Sequence, residues 1–178
     1  MKAEDFIEQI KSLKPTEGEM NLVKASEDYK SDFVKQFDIT KISGDLNLSD
    51  EILSLVSNYH LVNLKIGRIK FDDKIDENGI YVYFGRYEAD ILILDKSDKK
   101  IKLLDHEDEE DILLECADNG ESFLDAVFMI KKYFTLQRLN VDADRSQDSK
   151  CSVAFQCASL AGGNTYLNFY KNVLGCFQ

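Results

Sequence analysis

The hydrophobic residues of this chain change their period twice, and the two changes dictate the order in which helices and strands can follow one another. Early apolar positions recur at helical spacing. Phe6, Ile7, Ile10 and Leu13 share one face, and Pro15 stops the pattern. A loop is expected around Thr16–Glu19. Tyr29, Phe33 and Phe37 then lie four apart, with Ser26 placed to cap a second helix. A third is expected from Ser49, whose neighbours Leu48 and Leu53 have the spacing of a hydrophobic staple.

At residue 61 the period becomes two. Val62, Leu64 and Ile66 alternate with polar residues, and the phase slips at Gly67, as at a β-bulge or bend. Asp76-Glu77-Asn78-Gly79 is a turn signal. In the next segment Ile80, Val82 and Phe84 share one face and Tyr81 and Tyr83 the other. Ile91–Asp95 and Ile101–Asp105 flank a polar turn and predict a hairpin. Helical period returns at 122, where Ser122 and Asp125 match a capping box ahead of Phe123, Val127, Ile130 and Phe134. The polar stretch 140–150 reads as a connection. Two short helices close the chain, Cys151–Leu160 ended by Gly162-Gly163, and a second from Asn164 to Gly175. The expected class is α+β, a curved and mainly antiparallel sheet built from residues 61–105 with flanking helices. Residues 1–178 form a single domain in this reading, with 151–178 as a C-terminal helical extension.

Charge narrows the function. The net charge is −11, and residues 105–125 hold ten acids and no Lys or Arg. Such a chain repels phosphate backbones, so direct nucleic-acid binding is not expected. No apolar run approaches the roughly 20 residues needed to span a bilayer, and no signal-peptide pattern is present. Cys116, Cys151, Cys157 and Cys176 lie at separations of 35, 6 and 19, which fit neither a zinc ribbon nor a redox pair. They are expected as four reduced, buried thiols, and with them a cytoplasmic location.

Catalytic patterns are missing. His60 has no acid or cysteine at ligand spacing. His106 sits in an acidic run, but position 110 is Glu110 where a zinc-protease pattern needs a second histidine. A calcium loop counted from Asp105 needs glycine at that same position and glutamate at Cys116. Neither Gly162-Gly163 nor any serine has a phosphate-cradle or nucleophile-elbow context. The reading is therefore non-enzymatic, without cofactor or bound metal. Tyr81, Tyr83 and Tyr87 stand out as aromatics expected to face outward from the sheet, a composition common in binding patches.

The stretch 85–134 resembles the SUKH superfamily of immunity proteins from bacterial polymorphic-toxin systems. The residues that carry the likeness are Ala89 to Asp95, then Lys102-Leu103-Leu104-Asp105-His106-Glu107, then Ala117-Asp118-Asn119-Gly120-Glu121-Ser122-Phe123-Leu124-Asp125. The tail, Leu160-Ala161-Gly162-Gly163 followed by Phe169-Tyr170 and Leu174-Gly175, is similar to that of one subgroup. The resemblance implies a protein that binds and neutralises a cognate toxin domain, many such toxins being nucleases. A nuclease needs a positive cleft, which clustered carboxylates fit. Asp105, Glu107, Asp108, Glu109, Glu110 and Asp111 are the expected partner-binding residues, with Tyr81 and Tyr83 as anchors. The alternatives are a regulatory or scaffold protein with a non-toxin partner, and a protein that binds a divalent metal through the same carboxylates.

Overall fold

The computed structural model describes residues 1–42, 48–139 and 144–177. Helices precede and follow a run of strands, so the class is α+β as expected. α1 (Ala3–Ser12) buries Ala3, Phe6, Ile7 and Ile10. The expected loop at Thr16–Glu19 instead opens a short helix, α2 (Glu17–Leu22). Thr16 Oγ1 accepts from the Glu19 N–H at 3.2 Å while Glu19 accepts from the Thr16 N–H at 2.8 Å, a reciprocal cap. Ser26 caps α3 (Glu27–Lys35) as its position predicts. β1 (Thr40–Lys41) follows. α4 (Glu51–Asn58) is capped by Asp50 and not Ser49, because the longer carboxylate reaches the Ile52 N–H at 2.8 Å.

β2 (Tyr59–His60) pairs only with β1. The main sheet holds β3 (Lys65–Ile66), β4 (Ile69–Glu77), β5 (Tyr81–Tyr87), β6 (Asp90–Asp95), β7 (Ile101–Leu104) and β8 (Ile112–Ala117). Each is antiparallel to its predecessor. Several local expectations are refined. Residues 61–64 form a turn, not a strand, since the Leu64 N–H bonds to the Leu61 carbonyl and both leucines point inward. Of the two readings of Gly67, the bend holds and the bulge does not; with φ of +61° it starts the β3–β4 hairpin turn. The sheet also extends beyond residue 105, because β8 lies within the acidic stretch. Asp76 and Glu77, read as turn residues, belong to β4 and pair with Tyr83 and Val82.

The bulge sits instead in β5, where register against β6 shifts between Tyr83 and Gly85. A Cβ on Gly85 would collide with the Lys70 carbonyl oxygen, so only glycine allows this close strand approach. One extra residue reverses the alternation. Tyr81 and Tyr83 face one side, while Tyr87, expected outward with them, turns into the core against Phe169.

α5 (Gly120–Leu139) starts earlier than the Ser122/Asp125 box implied, because Asn119 Oδ1 accepts from the Ser122 N–H at 3.0 Å. α6 (Gln147–Ala161) is capped by Ser146 and ends at Gly162. It therefore takes up part of the expected 140–150 connection, of which residues 140–143 lie outside the described residues. A 3₁₀ turn (Asn164–Tyr166) leads into α7 (Leu167–Leu174), closed by the left-handed Gly175. One cluster of buried side chains joins α1, α4, α5, α6 and α7 to the inner face of the sheet. It includes Phe6, Phe84, Phe123, Phe169 and Tyr170, the last donating to the Cys116 carbonyl at 2.9 Å. The outer face has a separate, smaller cluster made of sheet residues only: Ile91, Ile93 and Leu104 with Tyr81 and Tyr83 against them.

The cysteines depart from expectation. Cys116 and Cys157 are free and buried, but Cys151 and Cys176 form a disulfide with Cα atoms 5.2 Å apart. Gly162-Gly163 turns the chain so that α7 packs back along α6, which brings the start of one helix to the end of the other. A disulfide removes the argument for a reducing compartment that four free thiols would supply.

Two of the four cysteines should therefore react with a thiol reagent in denaturant without reductant, and four after reduction. Replacing Cys151 and Cys176 by serine should cost about 3 kcal/mol in urea unfolding, as for closure of a loop of 25 residues. Four reactive thiols before reduction would refute the pairing.

Candidate binding surface

The expected partner-binding residues are distributed over β5 and the β7–β8 loop. Two strands, β6 and β7, separate these elements in the sheet, yet the side chains meet. Tyr83 Oη donates to Glu109 Oε2 at 2.9 Å, which holds the loop over the outer face. Asn78 Nδ2 in turn donates to the Tyr83 oxygen at 2.7 Å. Burial, then the bond to the Glu109 carboxylate, push the Tyr83 phenol up to about 12, so it remains a donor at neutral pH. Tyr81 packs beside it against Ile91, Ile93 and Leu104.

The loop is shaped by its own carboxylates. Asp105 Oδ1 accepts from the Glu107 N–H at 2.8 Å and Asp108 Oδ1 from the Glu110 N–H at 3.1 Å. The Asp111 N–H closes a turn onto the Asp108 carbonyl at 3.0 Å. These are turns in which Asp suits the first position. Glu107, Glu110 and Asp111 remain exposed. Among the described residues, none of Asp105, Glu107, Asp108, Glu109, Glu110 and Asp111 pairs with a lysine or arginine.

The rest of the acidic tract is different. Glu115 pairs with Lys100 at 3.0 Å, Asp118 accepts from the Tyr166 hydroxyl, and Glu121 meets Lys2 at 2.9 Å. The run of ten acids in sequence thus divides into a loop with no lysine or arginine partner among the described residues and a partnered remainder from β8 into α5. Ile112 and Leu113 follow the loop on β8 with 42% and 39% exposure. They add an apolar border to the carboxylates, which patterning alone did not flag.

Two further groups on the outer face escaped sequence reasoning. Lys102 and Asp95 lie almost fully buried, 2.6 Å apart, with Asp98 also on the ammonium at 2.8 Å. Burial alone would raise the Asp95 carboxyl, but bonds from Lys102 and Ser97 outweigh it and hold the group at about 2. Burial would lower Lys102; its bonds to Asp95 and Asp98 prevail and raise it. This pair anchors the β6–β7 hairpin beside Ile93, its cross-strand neighbour.

His106 Nδ1 lies 2.9 Å from Asp90 Oδ1 and 3.6 Å from Asp105 Oδ1. These three are the residues on which a divalent-cation reading would rest. The ordinary hydrogen bond between imidazole and carboxylate accounts for their closeness. That bond is also the main reason the His106 ring is raised above its usual range. No family model, curated protein or solved structure matches this chain.

Two measurements check this electrostatic account. Asp90→Asn should lower the NMR titration midpoint of His106, and an unchanged midpoint would remove Asp90 as the cause. For Asp95, a carboxyl lowered on folding contributes stability above its unfolded value near 3.8, and that stability is lost as pH falls through about 2. Asp95→Asn should cost about 2 kcal/mol at neutral pH and flatten the acid loss of stability over that window.

Proposed function

We propose that this protein works by binding and not by catalysis, as an immunity protein that neutralises a toxin domain carrying a positive surface. The observation that carries the reading is the uncovered outer face of the sheet. There, six carboxylates with no lysine or arginine partner among the described residues, one of them held by Tyr83, sit beside Tyr81 and the exposed Ile112 and Leu113. A cluster of acids with an aromatic and aliphatic border suits a desolvated contact surrounded by charge. The likeness of residues 85–134 to SUKH immunity proteins supplies the class of partner.

A nuclease domain fits best, because its phosphate-holding cleft offers the complementary sign. Long-range attraction between such surfaces accelerates encounter. Direct binding of nucleic acid by a chain of net charge −11 is disfavoured on the same grounds. Among the described residues no helix is long and apolar enough to cross a membrane. A nuclease acts on cytoplasmic substrates, so this reading puts the protein in the cytoplasm, where the Cys151–Cys176 bond meets reducing conditions.

The test first asks whether a toxin domain is encoded beside this chain, then follows association with that domain by surface plasmon resonance. Changing Asp108, Glu109 and Glu110 together to lysine should slow association by about tenfold or more at low salt and flatten its salt dependence. The circular dichroism should stay native, since exposed charges contribute little to stability. Unchanged kinetics would move the interface away from the loop. Absence of binding by the wild-type protein would refute the immunity reading and favour a non-toxin partner.

A further inference from the structure

A second site lies away from the acidic loop, between α2, α3 and α5, and its chemistry is the opposite. A pocket of ≈ 590 Å³ there is lined by Lys24, Tyr29, Phe134, Arg138 and Arg145, with Val23 and Ala25. Among its described lining residues there are three cations and no acid, in a chain whose net charge is −11. None of the three pairs with a carboxylate among the described residues. Arg138 is held by rings instead, its guanidinium 5.0 Å from the centre of Phe33 and 5.6 Å from that of Tyr29. Arg145 donates to the Gln137 carbonyl at 2.6 Å.

The pocket shares Phe134 and Arg138 with a smaller, deeper cavity of ≈ 70 Å³. Two polar groups on the wall of that cavity lack an obvious reason to be there. Thr135 is 2% exposed, and its hydroxyl has no hydrogen-bond partner among the described residues. An unmet buried hydroxyl is costly, of order 1–3 kcal/mol, and native proteins rarely retain one without use. Lys131 is equally buried. Its ammonium donates to Gln36 Oε1 at 2.8 Å and the Lys65 carbonyl at 3.1 Å, and lies over Phe37 at 4.5 Å, with no carboxylate of the described residues paired to it. Burial, then the Arg138 charge, hold that amine down at about 7. An anionic group in the cavity would relieve both residues at once.

We propose that this pocket binds a small organic anion, its flat apolar body against Tyr29 and Phe134 and its anionic head directed past Arg138 towards the Thr135 hydroxyl. The volume, the aromatic walls and the few convergent polar groups are those of a small-molecule site. The inner cavity has room for a carboxylate and little more. The site is independent of the acidic loop, so its fate and that of the toxin-binding reading are separable.

The test is a titration of the full chain with benzoate, and separately with neutral benzyl alcohol, followed by NMR. Benzoate should shift the resonances of Phe134, Thr135 and Arg138 saturably, with a Kd of about 1 mM or tighter. Benzyl alcohol should bind at least roughly tenfold more weakly. Thr135→Val keeps the shape and removes the hydroxyl, and Arg138→Gln removes the charge; each should weaken benzoate by roughly tenfold. Should either variant fail to fold, Lys24→Gln with Arg145→Gln tests the outer cations alone and should weaken benzoate in the same direction. Absence of saturable benzoate binding overturns the proposal, as does equal binding of the neutral probe or indifference to all of these substitutions. Indifference to Thr135→Val alone, as an ordered water on that hydroxyl would give, overturns the seating of the anionic head in the inner cavity.

Discussion

The close approach of Gly85 to the Lys70 carbonyl determines which side of the sheet each later residue of β5 faces. Without the extra residue at that point, Tyr87 would share the side of Tyr81 and Tyr83. With it, Tyr87 seals the core against Phe169 while the other two tyrosines stay outside. The inner side can then be fully apolar, built from Val82, Phe84, Leu92, Leu94, Ile101 and Leu103. The outer side is left to a thin cluster and a polar network. The separation of structural work from surface chemistry rests on one residue without a side chain.

The outer side stays ordered without helices because polar and apolar contacts share the task. Ile93 and Leu104 are fully buried under aromatic and aliphatic neighbours. The Lys102–Asp95 pair is satisfied by Asp98 and Ser97, which offsets the cost of removing two charges from water. Tyr83 then ties the loop to this platform. A loop pinned at one point loses less freedom on meeting a partner than an unrestrained one, which favours affinity.

Much of this was legible in the residues, and the exceptions have specific causes. α1, α3, the β6–β7 hairpin and the Gly175 stop follow from spacing and capping chemistry, which are local. β8 was missed because Ile112–Ala117 sits among acids, whose charge masked a short apolar run. Tyr87 was misplaced because a bulge is specified by the partner strand and not by the residues flanking it. The Cys151–Cys176 bond depends on the turn at Gly162-Gly163 and on packing between helices, which cysteine spacing does not encode. Of the candidate surface, sequence singles out the loop and both tyrosines separately, whereas the Tyr83–Glu109 contact joins elements that are distant in sequence. Lys131 and Thr135 carried no signal at all, since a lysine or threonine at one turn of a helix looks like surface until burial is known.

β8 ends the sheet, and only part of it is covered, its C-terminal half lying under α7 and the 3₁₀ turn. Its first residues, Ile112 and Leu113, are an exposed apolar start to an unpaired edge. Such an edge is a template on which a second copy could add a strand. The carboxylates immediately before it place like charges against like charges whenever two copies approach along that edge. Charges so placed disfavour strand addition between copies along that edge, the protection that charged residues give exposed strands in general.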